Sequence, residues 1–228
     1  MREKTRTYNQ KEFDKMAGIE TKLQKNMHLL SQDEGRYLPT EFRVSELVSC
    51  PAKAYYYRKT GKRPELNGKM FSGLLFHDKL PLLTKNIPAF KDAVFEKECR
   101  RTHTKFSIAG HADVITKDDV WEFKYSAAKV KQYPLPAHWL LQANAYATML
   151  RRKYWNIVVV DSFSLAVHVK RGRQSGEGYD ILVCRAMDIL KALEENKPPK
   201  GPAEAWECMY CNLQRECIHY QTKKKENV

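Results

Sequence analysis

The chain has 228 residues, 43% of them hydrophobic, and carries 40 Lys and Arg against 27 Asp and Glu, a net charge of +13. That length holds one sizeable core, or a core with a small appendage, and the apolar fraction is that of an ordinary globular protein, so disorder is not the default reading. The charge excess points to a polyanionic partner, nucleic acid first, because each phosphate neutralised releases condensed counterions. No apolar run approaches the ~20 residues of a membrane span, and the opening MREKTRTYNQKEFDKMAG lacks the apolar core of a secretory signal. The expected setting is therefore the cytoplasm, with no membrane partner. In that reducing compartment the six cysteines are expected as thiols or metal ligands rather than disulfides.

Residues 1–40 are polar and mixed in charge and read as an N-terminal arm, with a helix near 11–30 and a break at Asp33–Gly35. A helical part follows over 41–90, where Ser45 is the expected N-cap of one helix and Pro51 opens a second that ends near Gly61. A further helix is expected from Lys69 to Leu83. From Ala93 to Tyr125 the hydrophobic period changes to two, giving strands over 93–99, 105–116 and 119–125. Pro134 and Pro136 then punctuate the chain before an amphipathic helix over His138–Lys153. Strands over Trp155–Phe163 and Leu165–Arg171, a loop over 172–178 and a helix over Tyr179–Glu195 complete a core spanning 91–198. The tail, 199–228, carries three cysteines. Helices around a mixed sheet make the fold α/β or α+β, with a small C-terminal metal knob.

The most informative segment is FSIAGHADVITKDDVWEFKYS, 106–126. With a turn centred on Lys117 and Asp118, opposing positions sum to 235, so Asp113 faces Glu122 and His111 faces Lys124. Alternation puts these four on one face and Ile108, Ala112, Val114, Trp121, Phe123 and Tyr125 on the other. Two adjacent carboxylates repel unless something neutralises them, and a divalent cation does so. Such an ion polarises a phosphodiester and activates water, while Lys124 meets the developing negative charge. A solvated hairpin face with ordinary cross-strand pairs gives the same pattern. Elsewhere His77 offers a nitrogen ligand or is a surface histidine. Gln142 and Tyr146, spaced i and i+4, share one helix face as phosphate or water contacts, or as its polar edge.

Cys208, Cys211 and Cys217 form a C-x₂-C-x₅-C cluster that needs a fourth ligand. Cys50, beside Pro51 at a helix start, is the best candidate, whereas Cys99 and Cys184 fall inside apolar-patterned elements as core thiols. Four thiolates suit zinc and an iron–sulfur cluster equally.

Taken in order, G-x-x-x-H (Gly73 to His77), G-H-A-D (Gly110 to Asp113), E-F-K (Glu122 to Lys124) and Q-x-x-x-Y (Gln142 to Tyr146) resemble the RecB-type branch of the PD-(D/E)xK nuclease superfamily, over roughly 44–220. Ala112 stands where the superfamily name has proline, a position that carries no chemistry. The resemblance implies a restriction-endonuclease-like core. His77, Asp113, Glu122 and the backbone carbonyl of Phe123 would bind Mg²⁺ or Mn²⁺, Lys124 would be the catalytic lysine, and Gln142 and Tyr146 would orient DNA and the attacking water. With the upstream Cys50 and the cysteine tail, the chain is similar to the iron–sulfur nucleases of that type. In length it fits the CRISPR-associated exonuclease family, the fourth of the Cas proteins. That implies a 4Fe-4S cluster on Cys50, Cys208, Cys211 and Cys217, stapling the tail to the N-terminal helical part.

The expected activity is metal-dependent DNA exonuclease action on single-stranded ends, with internal cleavage as a further activity. The expected role is trimming DNA for spacer acquisition, in contact with the CRISPR integrase. A repair or phage nuclease of the same type, and a non-catalytic DNA-binding module with a metal knob, are the alternatives. Three weaker signals have two readings each. AYYYRKTGK (54–62) is a single-strand platform or a core face. Arg151–Lys153 tracks phosphate or complements a helix dipole. KRGRQSGEG (170–178) is a DNA-touching or a merely solvated loop.

Overall fold

The computed structural model describes residue 22 and residues 39–61, 68–126, 134–199, 205–209 and 211–220. Apart from Lys22, the expected arm helix lies outside the described residues. The chain divides into two compact units, 1–36 with 65–71 and 37–64 with 72–228. The second holds the sheet.

Its elements in chain order are β1 Glu41–Arg43, α1 Val44–Leu47, α2 Pro51–Thr60 and α3 Gly68–His77, of which residues 72–77 belong to this unit. Next come α4 Leu80–Thr84, β2 Val94–Thr102, β3 Ser107–Ile115, β4 Asp119–Ser126 and α5 Ala137–Met149. Then follow β5 Tyr154–Asp161, β6 Val167–Arg173, α6 Gly176–Glu194 and the short α7 Ala205–Met209.

The sheet is mixed. β1 runs parallel to the first half of β3 and β4 antiparallel to its end, β2 pairs antiparallel with β3, β4 runs parallel to β5, and β6 closes antiparallel on β5. The β3–β4 register is the expected one, Val114 opposite Trp121 and Ile115 opposite Val120, across a turn closed by the Thr116 N–H on the Asp119 carbonyl.

The alternative reading of this hairpin, a solvated face with ordinary cross-strand pairs, does not hold. Glu122 is 0% and Asp113 6% exposed. The residues expected to share one apolar face divide between two clusters. Ile108 and Ala112 join Ile115, Val120 and the inner faces of α5 and α6, whereas Val114, Phe123 and Trp121 pack under Phe76, Leu80 and Phe90. Apolar cover on both sides leaves no solvent face to the middle of the sheet, as in other α/β folds.

Three local expectations also change. Ser45 is not a cap: Arg43 precedes the first helix, with its N–H on the Glu46 carboxylate at 3.3 Å, and Ser45 lies inside the turn. The single helix expected over 69–83 is two, because Pro81 has no N–H for the carbonyl of His77 and its ring crowds that carbonyl. That break leaves His77 as the last residue of α3. The expected loop over 172–178 is the end of β6 and the start of α6. Its Gly178 serves close packing, since a Cβ there would come within 2.5 Å of Asn144 Nδ2. Pro51 and Gly61 do bound α2 as expected, Gly61 at φ 66°. Tyr55 and Tyr57 of that helix are core residues, so the aromatic run is a buried face.

Candidate active site

The site forms where β3 and β4 part company. Their paired ladder ends at Val114 and Trp121, one residue short of Asp113 and Glu122. Beyond that point the Asp113 side chain takes over from the backbone, its Oδ2 accepting the Phe123 N–H at 2.6 Å. A carboxylate thus bridges the gap that the splayed strands open, and its other oxygen, Oδ1, is 3.3 Å from His77 Nδ1.

Glu122 is fully buried, and its Oε2 accepts from Lys124 Nζ at 3.0 Å. Lys124 Nζ also donates to Gln142 Oε1 at 3.0 Å, so α5 fixes the ammonium from the helix side. Glu122 Oε1, by contrast, has no hydrogen-bond partner. Leaving a buried acceptor unsatisfied costs about 1–3 kcal/mol. Among the described residues this carboxylate oxygen and the Arg152 Nε are the buried side-chain atoms so left.

The electrostatics follow from burial. Desolvation, then the charge of Asp113, push the Glu122 carboxyl up to about 8. Burial also opposes the charge on Lys124, but Glu122 and Asp113 outweigh it and raise its pKa. Burial and Asp113 thus favour the neutral form of Glu122, while Lys124 beside it favours the carboxylate. Burial likewise works against an imidazolium at His77, yet hydrogen bonds to Asp113 and to Glu96 push it up to about 10.

Tyr146 lies deeper than its expected role requires. It is buried, and desolvation followed by the charge of Glu122 raises its hydroxyl well above the usual range. Gly110 makes room for it: a Cβ at that position would meet Tyr146 Oη at 2.6 Å and Cε1 at 2.7 Å. Gln142 and Tyr146 thus stand behind Lys124 and Glu122. His111 is exposed and opposes Glu98 of β2.

One residue of the site escapes the sequence reading. Among the described residues, the group of three His, Cys, Asp or Glu side chains whose ligating atoms all lie within 4.8 Å of one another is His77, Glu96 and Asp113. Glu96 was legible in principle, because pairing the first two strands across Thr104 and Lys105 sets it opposite Asp113.

The cysteine tail is brought to α2. Tyr57 Oη donates to Asn212 Oδ1 at 2.6 Å, and the Ile218 N–H donates to Tyr56 Oη at 3.2 Å. Cys50, the residue before α2, has its thiol pushed up by burial, with Glu207 and Cys217 near enough to add to the rise. Among the described residues no three cysteine sulfurs reach the 4.8 Å grouping that His77, Glu96 and Asp113 satisfy. Tetrahedral thiolates on one zinc stand roughly 3.8 Å apart. Cys99 is buried and Cys184 exposed, so only the first is the core thiol expected.

Of the basic segments, Lys153 Nζ pairs with Asp118 at 3.0 Å and Arg171 with Asp119 at 2.9 Å, the latter also over the Tyr154 ring. Among the described residues no helix is long and apolar enough to cross a membrane.

No protein-family model and no curated protein matches the chain. Solved structures do. The protein SSO0001 is 20% identical with a TM-score of 0.69, over 90% of this chain and 98% of that one. LHK-Exo, an alkaline exonuclease from Laribacter hongkongensis solved with dAMP, is 14% identical with a TM-score of 0.50, over 70% and 90%. A phage-related exonuclease from Haemophilus somnus 129PT is 12% identical with a TM-score of 0.51, over 68% and 94%. The chain shares with these structures the fold described above, a mixed sheet flanked by helices.

Proposed function

We propose that this protein is a divalent-cation-dependent DNA exonuclease that acts on single-stranded ends. The observation that carries the reading is Glu122, a fully buried carboxylate with one orphaned oxygen, next to Asp113 and salt-bridged to Lys124. A buried acceptor without a partner, on the strand next to a second buried carboxylate, fits a hard cation. His77, Asp113, Glu122 and the carbonyl of Phe123 would hold Mg²⁺ or Mn²⁺. When bound, that ion would polarise the phosphodiester and lower the pKa of water.

The remaining work falls to the chain. Lys124 holds an ammonium where negative charge grows on the phosphate, and Gln142 keeps it there. Tyr146 and Gly110 pack the wall behind Glu122 and exclude water, which strengthens each of these interactions. The net charge of +13 draws the polyanionic substrate. The fold shared with exonucleases, one of them solved with dAMP, supports the substrate class.

A 4Fe-4S cluster on Cys50, Cys208, Cys211 and Cys217 belongs to the same proposal. The tail seated on α2 supports it. The biological setting we propose is CRISPR spacer acquisition, with the integrase as partner, on the strength of the sequence resemblance.

The test is cleavage of end-labelled single- and double-stranded DNA with Mg²⁺ and with Mn²⁺. Asp113→Ala should abolish cleavage in a chain that remains folded and still binds DNA; unchanged cleavage refutes the site. A brown, oxygen-free preparation absorbing near ~400 nm supports the cluster, and a colourless zinc-loaded one overturns it. Failure to trim DNA ends in a reconstituted integration reaction would overturn the CRISPR setting alone.

A further inference from the structure

We propose that Glu96 is a direct ligand to the divalent cation, on the His77 side of Asp113. The proposal rests on the nuclease reading and adds to it a residue that lies outside the four recognised motifs.

Register places Glu96 first. Phe95 opposes Val114 and Lys97 opposes Ala112, so the residue between them faces Asp113. The β3–β4 register continued by one step sets Glu122 across from Asp113 on the other side. Three neighbouring strands therefore carry one acid each in a transverse row, Glu96, Asp113 and Glu122. Like charges directly opposite in a sheet destabilise it. Lys124 meets the Glu122 end of the row, and the other end, Glu96 with Asp113, faces His77.

Geometry then ties Glu96 to the ligand cluster. His77 Nδ1 is 3.6 Å from Glu96 Oε1 and 3.3 Å from Asp113 Oδ1, and the three donor atoms form one close group. Imidazole nitrogen with two carboxylate oxygens is a ligand set for Mn²⁺ or Mg²⁺. Both ions favour about six ligands, so a fourth side chain finds a free position. The backbone is bent for the purpose: Glu96 sits at φ 46° inside a strand, a conformation that non-glycine residues seldom adopt, and steps out of the paired ladder.

An independent observation comes from the far end of the row. Glu122, with no exposure, keeps Oε1 unpartnered beside Asp113. A ligand oxygen is thus left without a partner on the strand next to the same central aspartate, which His77 and Glu96 approach from the other side. Glu96 itself is 55% exposed, so it keeps the row open to solvent and to an entering ion.

The test measures Mn²⁺ alone binding to the full chain, by calorimetry and by the electron-spin signal of the bound ion. Glu96→Gln keeps the shape and removes the charge at an exposed position; circular dichroism checks the fold. We expect its Mn²⁺ affinity to fall tenfold or more. Glu98→Gln, two residues along the same strand and opposite His111, should bind as the wild type does. Asp113→Ala should lose binding altogether. If Glu96→Gln binds within twofold of wild type while Asp113→Ala does not bind, Glu96 is no ligand and the nuclease reading stands. If Asp113→Ala also binds like wild type, the cation site itself is wrong and this proposal falls with it.

Discussion

Replacing Glu122 by Gln should make the metal-free protein more stable at neutral pH, an unusual outcome for an active-site substitution in a buried position. The carboxyl is raised from 4.5 to about 8, first by burial and then by Asp113. A raised folded-state pKa means that its stabilising contribution is full below pH 4.5 and is lost as pH rises through about 8. One proton limits the slope to about 1.4 kcal/mol per pH unit. Between pH 5 and 7, wild type should therefore lose up to roughly 2.7 kcal/mol from this group alone. Gln is close in shape to the protonated acid, still accepts from Lys124, and does not titrate. Urea unfolding in chelator at pH 5, 6 and 7 should show the difference between the two proteins widening in favour of Glu122→Gln. His77, raised from 6.5 to about 10, also drains stability as pH rises from 6.5, but it does so in both proteins and cancels. Saturating Mn²⁺ at pH 7 should reverse the order, because the cation binds the carboxylate and not the amide. Parallel stability curves across pH 5 to 7 in chelator would refute the claim that Glu122 is protonated and awaiting a cation.

Two further substitutions probe the wall and the lysine. Gly110→Ala drives a methyl to 2.6 Å from Tyr146 Oη inside a packed core, which should cost about 1–3 kcal/mol; thermal unfolding of the variant measures it, and an unchanged Tm would mean that Tyr146 moves freely. Lys124→Met should leave Mn²⁺ binding measurable by calorimetry while cutting single-turnover cleavage by about 10²–10³-fold, and Gln142→Ala, which only releases the ammonium, should cut it less.

The amino-acid sequence determined a good deal here. Its 2-residue period over 105–125 and the Lys117–Asp118 turn were enough to set Asp113 opposite Glu122, because the position of a hairpin turn fixes which residues face each other. Pro51 and Gly61 bounded α2 for reasons local to their own backbones. The short motifs likewise made the four main chemical groups readable as residue types at fixed spacings. What only the tertiary structure decided lies between elements. That both sides of the sheet are dry depends on which helices cover it, so a fully buried Glu122 was beyond any local pattern. The break at Pro81, which ends α3 on His77, set the angle at which the imidazole meets Asp113. Gly110 announced no role until Tyr146 was found against it. One strand pairing sets Glu96 opposite Asp113, but its meeting with His77 needed the end of α3 as well. Each motif is a one-dimensional spacing, whereas the proposed cation site takes atoms from three strands and a helix, and their convergence is a property of packing.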